Sequence, residues 1–300
     1  MKRDFVELDD LSPEEGWKVI DWALGIKRGS FEEFMKKRVV GLYFRKPSTR
    51  TRVSFEVGVA KLGGTCIFLQ EGSLQASRGE ELRDTARTLS EYLDLIVVRA
   101  EHQFVKEMAR WAKVPIINAL TEMTHPCQVL GDVLTLCELF GKDLKGVKVA
   151  YLGDGNNVCN TLLIGAGMFG FDLSVASPKG YEPSEEYLSR ALRLSKSSGA
   201  RIEVINDPKK AIEGANVIYT DVWFSMNHSK DENRRRDLEP FRVSEALIEN
   251  RNVKIMHCLP ANKGEEIEEK VFEEHADEIF LQAKNRMFAQ MGLLKLLLAK

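Results

Sequence analysis

Between residues 39 and 62 the hydrophobic period of this chain changes once, and that change restricts the sheet it can build. Val39, Val40, Gly41, Leu42, Tyr43 and Phe44 form an unbroken apolar run, as a strand covered on both faces of a parallel sheet requires. Pro47 ends the run. From Ser48 onward Val53, Phe55, Val57, Ala60 and Leu62 recur at spacings close to one helical face, so Ser48 and Thr49 fall where an N-cap and a first turn belong.

The same exchange recurs along the chain. Ser12, Pro13, Glu14 and Glu15 mark a helix start running to about residue 27. Residues 65–69, 95–98 (ending in Arg99) and 114–118 read as strands, with helices through Asp84, Leu89 and Tyr92 and over 102–112. A long helix from Val129 toward Phe140 leads to Gly141-Lys142, the predicted domain junction. Beyond it strand 148–152 enters Gly153-Asp154-Gly155-Asn156-Asn157, followed by an apolar helix over 158–169. Strands follow at 173–176, 201–205, 217–220 and 254–258, with a helix from about 184 to 196. Residues 70–81 and 227–237 are polar and read as loops, the second charge-dense and flexible. This alternation predicts an α/β protein of two domains, 1–140 and 141–284, each a parallel β-sheet flanked by helices. Long interdomain helices join them, and the terminal helix 285–300 packs back on the first.

Composition narrows the partners. At 300 residues the chain is long enough for two cores, and a net charge of -2 gives no reason to expect nucleic acid or a membrane surface. Its five cysteines form no CxxC pair, which suits free thiols in a reducing, cytoplasmic compartment. Residues 1–15 mix charges without a continuous apolar core and read as neither a signal nor a transit peptide. The apolar run at 291–299 falls far short of the ~20 residues that span a bilayer and reads as a buried terminal helix.

Ser48-Thr49-Arg50-Thr51-Arg52 sets free amides, three hydroxyls and two guanidiniums at the start of a helix, whose dipole already favours an anion. Phosphate is the natural guest. A lone Ser-Thr-Arg is equally an ordinary capped helix, but the five-residue form directly after a strand is more specific. Ligands in open α/β sheets bind at the carboxyl ends of strands, which gives weight to Arg99, His125, Gln128, Asp221 and His257-Cys258-Leu259-Pro260. Singly, a His or Cys there is more often a packed structural residue. Gly153-Asp154-Gly155-Asn156-Asn157 lacks the third glycine of a dinucleotide fingerprint, and no G-x-x-x-x-G-K-S/T motif occurs, which disfavours a dehydrogenase or an ATPase.

Taken together and in order, these motifs resemble the aspartate and ornithine carbamoyltransferase family across almost the whole chain. Ser-Thr-Arg-Thr-Arg and His125-Pro126-x-Gln128 are shared by both branches and imply carbamoyl phosphate as one substrate. Asp221-Val222-Trp223-x-Ser225-Met226, His257-Cys258-Leu259-Pro260, the Gly153 turn and Gln282-x-x-Asn285-Arg286 are similar to the ornithine branch. The aspartate branch typically has a Pro-Leu-Pro form at the His257 motif. The resemblance implies transfer of the carbamoyl group to the δ-amine of L-ornithine, giving L-citrulline and phosphate, in arginine metabolism and without metal or organic cofactor.

It also implies roles. Ser48, Thr49, Arg50 and Thr51 would hold the phosphate, with Arg99 spanning phosphate and carbonyl oxygen. Thr51, Arg99 and His125 would polarise the carbonyl, while Gln128 and the backbone carbonyls of Cys258 and Leu259 hold the carbamoyl NH2. Arg286 would face the carbonyl from the second domain. Gln75 sits where the family reaches into a neighbouring subunit, implying a trimer, or a multiple of trimers, with shared active sites. Asn157 would meet the α-carboxylate of ornithine and Asp221 its α-amino group, with Ser225 and Met226 on the loop over it. Cys258 with Asp221 would assist loss of the amine proton, without a covalent cysteine intermediate. Arg50, Arg99, His125 and Cys258 are thus the implied catalytic group.

One departure stands out. The ornithine branch usually continues Ser-Met-Gly, whereas Asn227 follows Met226 here, which keeps N-acylornithine, putrescine and aspartate open as alternative acceptors. A phosphate-sensing protein that kept the fold is the non-enzymatic alternative, and it would have no need of Arg50, His125 and Cys258 together.

Overall fold

Ser12 does at the first helix what its position predicts. Its Oγ accepts the backbone N–H of Glu15 at 3.3 Å, the Glu15 carboxylate accepts that of Ser12 at 2.9 Å, and Pro13 opens the helix where no N–H is missed. The structure, a computed structural model, describes residues 2–30, 32–70, 79–224, 231–249 and 251–298.

In chain order the first elements are α1 (Pro13–Lys27), β1 (Val39–Phe44), α2 (Thr49–Lys61), β2 (Thr65–Gln70), α3 (Leu82–Ser90), β3 (Leu95–Arg99), α4 (His102–Trp111), β4 (Ile116–Leu120) and α5 (Pro126–Phe140). Then come β5 (Lys148–Leu152), α6 (Asn157–Phe169), β6 (Asp172–Ala176), α7 (Glu185–Ser198), β7 (Ile202–Ile205), α8 (Pro208–Ala211) and β8 (Val217–Thr220). The last are α9 (Glu232–Leu238), α10 (Glu245–Ile248), β9 (Lys254–His257), α11 (Glu269–Glu274) and α12 (Ala276–Leu298). The polar stretch read as a loop from 227 to 237 is partly α9, because Asp231 caps it by accepting the N–H of Asn233 at 3.0 Å. Residues 227–230 and 71–78 lie outside the described residues.

The chain divides into two units, Met1–Leu134 with Arg286–Lys300, and Thr135–Asn285. Both divisions fall inside helices, α5 and α12. Gly141 ends α5, at a φ of +93° that suits glycine. Arg286, expected from the second domain, belongs to the first unit.

In the first unit the sheet order is β2-β1-β3-β4, all parallel. From β1 the chain steps outward to β2, then back to β3 on the other side, so the switch point lies between β1 and β3, where Phe44 pairs with Arg99. The crevice outside those two strand ends is where such sheets take ligands. Every residue of β3 is buried, and Tyr43, Ile96, Val98, Val105, Met108 and Ile116 share one core. Phe5 extends the β4 edge, with its N–H on Ile116 O and its carbonyl accepting from Asn118, both at 2.8 Å.

In the second unit the order is β7-β6-β5-β8-β9, again all parallel, with the switch point between β5 and β8. Ala150, Leu152, Ile218, Ile255 and Ile267 fill its core. Residues Val158 to Phe169 of α6 are all buried, as the apolar composition of that helix requires. The turn between β5 and α6 passes so close to Glu182 and Pro183 that a Cβ on Gly155 would lie 2.1 Å from the Pro183 nitrogen.

Gly131 has a similar constraint in the first unit. A Cβ there would lie 2.8 Å from Arg286 Cα, so glycine lets α5 and α12 touch backbone to backbone beside Arg286. Gly131→Ala is expected to lower stability by about 1–3 kcal/mol through overpacking, read as a fall in the urea midpoint at unchanged slope. An unchanged midpoint would show that the helices can part freely.

Candidate active site

The site in the first unit starts from α2. Ser48 is extended (φ -160°) and its side chain accepts the Thr51 N–H at 3.4 Å, so the helix begins at Thr49 with its amides facing the end of β1. Thr51 is buried, Ser48 and Arg50 are half-buried and Thr49 is exposed. Arg45 N–H bonds Arg99 O at 2.9 Å, continuing the β1–β3 ladder past its last pair. Arg52 is engaged elsewhere, since its Nε donates to Glu56 at 2.9 Å and its guanidinium lies 3.8 Å over the Phe68 ring. Of the two guanidiniums expected at the helix start, Arg50 therefore remains.

Arg99, His125 and Arg286 are all buried and share one electrostatic neighbourhood with Arg50. Burial, then Arg286 and Arg50, lower the Arg99 pKa to about 10, and Arg99 stays a cation at neutral pH. Burial, then Arg286, Arg99 and Arg50, hold His125 well below the ordinary histidine value, so its imidazole is neutral. Arg286 donates to Gln128 Oε1 at 3.0 Å while Gln128 Nε2 donates to Asp132 at 2.8 Å. Both ends of the Gln128 amide are thereby oriented.

His125 follows a turn whose residues stand outside the sequence motifs. Thr121 Oγ1 accepts the N–H groups of Met123 and Thr124, each at 3.1 Å, and Thr121 N–H bonds Thr124 O at 2.9 Å. Asn118 Nδ2 then donates to Thr124 Oγ1 at 3.0 Å. Threonine-asparagine turn chemistry of this kind is the signal that could have found them.

The site in the second unit gathers at the ends of β5, β8 and β9. Asp221 follows β8 and Cys258 follows β9, and the Cys258 thiol donates to Asp221 Oδ1 at 2.9 Å. Asn156 Nδ2 donates to Asp221 Oδ2 at 2.7 Å, and Asn157 opens α6 beside it. His257 is buried, its Nε2 3.0 Å from Glu266 Oε1 and its Nδ1 accepting the Leu259 N–H at 2.9 Å, which holds Leu259 at a φ of +59°. Asp221, His257 and Cys258 bring one ligand atom each within 4.8 Å of one another, but both His257 nitrogens are in those hydrogen bonds. The His257 imidazole is therefore held by Glu266 and Leu259, and Cys258 and Asp221 by each other.

Asp154, within the Gly153 turn, is a residue to which the motif assigned no role. Burial, first, and the nearby Asp221 raise its carboxyl to about 6, against the opposing pull of Arg234, whose guanidinium lies 2.5 Å away. Arg234 also donates to Trp223 O at 2.6 Å. Gln75, Ser225, Met226 and Asn227 lie outside the described residues. No helix of the described residues is long and apolar enough to cross a membrane.

Comparison with known proteins extends these local findings over the chain. Residues 3–138 match the family described as aspartate/ornithine carbamoyltransferase, carbamoyl-P binding domain, and residues 145–297 match its Asp/Orn binding domain. A protein of Aquifex aeolicus named ornithine carbamoyltransferase is 53% identical over 303 residues, covering 99% of this chain and 98% of the relative. The solved ornithine carbamoyltransferase of Pyrococcus furiosus superposes with a TM-score of 0.93 at 42% identity, covering 99% of this chain and 97% of that one. The anabolic enzyme of Campylobacter jejuni superposes at 0.94 with 39% identity and 99% of both chains covered. On a fold, a pair of strand-end sites and a likeness that each span both units, this chain belongs to the aspartate/ornithine carbamoyltransferase family.

Proposed function

We propose that the chain transfers the carbamoyl group of carbamoyl phosphate to the δ-amine of L-ornithine, giving L-citrulline and phosphate in arginine metabolism. The observation that carries this reading is the convergence of Arg50, Arg99 and Arg286 with a neutral His125 at the start of α2. Three cations that disfavour one another call for a multiply charged anion, and an imidazole kept neutral beside them is a hydrogen-bond donor to an uncharged oxygen. A phosphate carrying a carbonyl group offers both. Ornithine as acceptor is supported by the relatives that bear the name ornithine carbamoyltransferase.

In this reading Ser48, Thr49, Arg50 and Thr51 hold the phosphate, and Arg99 lies between phosphate and carbonyl oxygen. Thr51, Arg99 and His125 donate to that oxygen as it becomes negative in the tetrahedral intermediate. Gln128 Oε1, already accepting from Arg286, has a second lone pair for the carbamoyl NH2. Asn157 meets the acceptor's α-carboxylate and Asp221 its α-ammonium. The neutral δ-nitrogen forms the new C–N bond, the C–O bond to phosphate breaks, and the nitrogen's proton leaves with phosphate or through Asp221 and Cys258. The thiol that donates to Asp221 acts on protons and forms no bond to carbon. In this reading the enzyme works in the cytoplasm, as a homotrimer to which Gln75 contributes across subunits.

The direct test is product formation from carbamoyl phosphate with ornithine, N-acetylornithine, N-succinylornithine, putrescine and aspartate in parallel, products identified by mass. Citrulline from ornithine is expected, with Arg50→Gln losing about 100-fold or more in kcat/KM. Turnover with another acceptor alone overturns the ornithine assignment, and no turnover with any favours the phosphate-sensing alternative.

Because His125 stays neutral as pH falls through about 6.5, it should add no acid limb to the kcat profile, and a limb near 6, where the Asp154 carboxyl lies, should persist in His125→Asn. Stability has the opposite sensitivity: the unfolded chain takes a proton at this position below about 6.5 and the folded one does not, so stability falls as pH drops there. In His125→Asn that acid-side loss should shrink, and equal losses in both proteins would contradict a neutral buried imidazole. Light scattering should give a species of about three times the 34.0 kDa chain mass. A monomer at assay concentration would remove the shared-site assignment of Gln75.

A further inference from the structure

Asn156 is assigned to neither substrate, yet through it α6 reaches Asp221. Its Oδ1 accepts the N–H groups of Val158 at 2.9 Å and Cys159 at 3.1 Å, which makes it the N-cap of the helix. Those two bonds decide which end of the amide is which, because turning it over would set an NH2 group against two N–H donors. The Nδ2 group is left pointing one way, toward Asp221 Oδ2 at 2.7 Å.

Asp221 thus receives three donors. Cys258 Sγ at 2.9 Å and Val222 N–H at 2.8 Å meet Oδ1, and Asn156 alone among them meets Oδ2. An ionised carboxylate offers about four acceptor positions, so the remaining capacity is on Oδ2, in a direction set by where Asn156 binds. Other groups around this carboxylate oppose its charge: Asp154 repels it, and Tyr151 and Cys159 are held in their neutral forms with Asp221 among the causes. Arg234, the cation nearby, is paired with Asp154. His257 lies within 4.8 Å but is committed to Glu266 and Leu259.

We propose that Asn156 is a positioning residue of the acceptor subsite: its amide, oriented by the α6 cap, holds the Asp221 carboxylate turned so that one oxygen can accept the acceptor's α-ammonium. This rests on the proposed contact of Asp221 with the acceptor. The class of acceptor follows from it, since an amine lacking the α-ammonium has nothing to place on the oriented oxygen and is indifferent to Asn156.

Two variants separate orientation from capping. Asn156→Ser keeps a capping side chain but is too short to reach Asp221; Asn156→Asp keeps the cap and replaces the donor with a second carboxylate. For Asn156→Ser the KM for ornithine should rise about tenfold, as loss of one charge-assisted hydrogen bond implies, with the KM for carbamoyl phosphate and the Tm near wild type. For Asn156→Asp, activity relative to wild type should be lower near pH 8 than near pH 6, because facing carboxylates share a proton more readily in acid. A second readout needs no acceptor: the carbon-13 chemical shift of the Asp221 carboxylate at fixed pH, assigned by its absence in Asp221→Asn, should move in Asn156→Ser as the amide contact is lost. Unchanged ornithine KM together with an unmoved chemical shift overturns the proposal, as does a parallel rise in both KM values, which marks general damage. Wild-type protein inactive toward ornithine but with the moved chemical shift overturns the acceptor reading and leaves the Asn156–Asp221 coupling standing.

Discussion

Burial of Arg99 beside Arg286 and Arg50 is the constraint on which the first site depends. Holding Arg99 charged there, at a pKa lowered to about 10 by burial first and then by the two neighbouring guanidiniums, corresponds to about 3 kcal/mol against folding at neutral pH. Arg99 ends a strand buried at every residue, and Arg286 is fixed through Gln128 and Asp132 and by the close contact at Gly131. On the proposed function a bound dianion offsets both the burial and the repulsion, and so contributes affinity and stabilisation of charge developing on the carbonyl oxygen.

Strand order decides where such groups can stand. In both units the sheet reverses its direction of growth once, between β1 and β3 and between β5 and β8, and the crevices so opened receive the residues that follow those strands. In the first unit these are the α2 amides and Arg99; in the second they are the Gly153–Asn157 turn and Asp221. The two crevices carry opposite charge, cationic in the first and acidic in the second. On the proposed function this difference in sign suits the dianion to the first crevice and the ammonium of an amino-acid acceptor to the second.

Much of this was legible in the residues. Unbroken apolar runs announced buried parallel strands, Ser12 and Ser48 announced helix starts, and the motifs named Arg99, Asp221 and Cys258 at the ends of strands and His125 just before a helix. What escaped has a common physical character. Asn118 and Thr121 act by closing the turn before His125, and Asp132, Asn156 and Arg234 by bonding to another residue of the sites, often one distant in sequence: Asn156 and Asp221, or Asp154 and Arg234, meet only once the sheet is assembled. Periodicity reports which face is buried, not which polar groups are joined across strand ends. Asp231 shows the reverse error, a strong cap hidden in a charge-dense stretch that composition marked as loop.

The cysteine illustrates why placement outweighs residue type. A thiol at a strand end invites reading as a nucleophile, and a nucleophile would need a cation or helix N-terminus to draw off its proton. Cys258 instead faces Asp221, to which it donates, and a carboxylate at 2.9 Å opposes the thiolate. Covalent attack by sulfur is thereby disfavoured by the same contact that makes the pair useful in proton transfer. Once sulfur is set aside, the acceptor nitrogen must reach the carbonyl carbon itself, and catalysis falls to orientation and to the cationic site, where the charge actually develops.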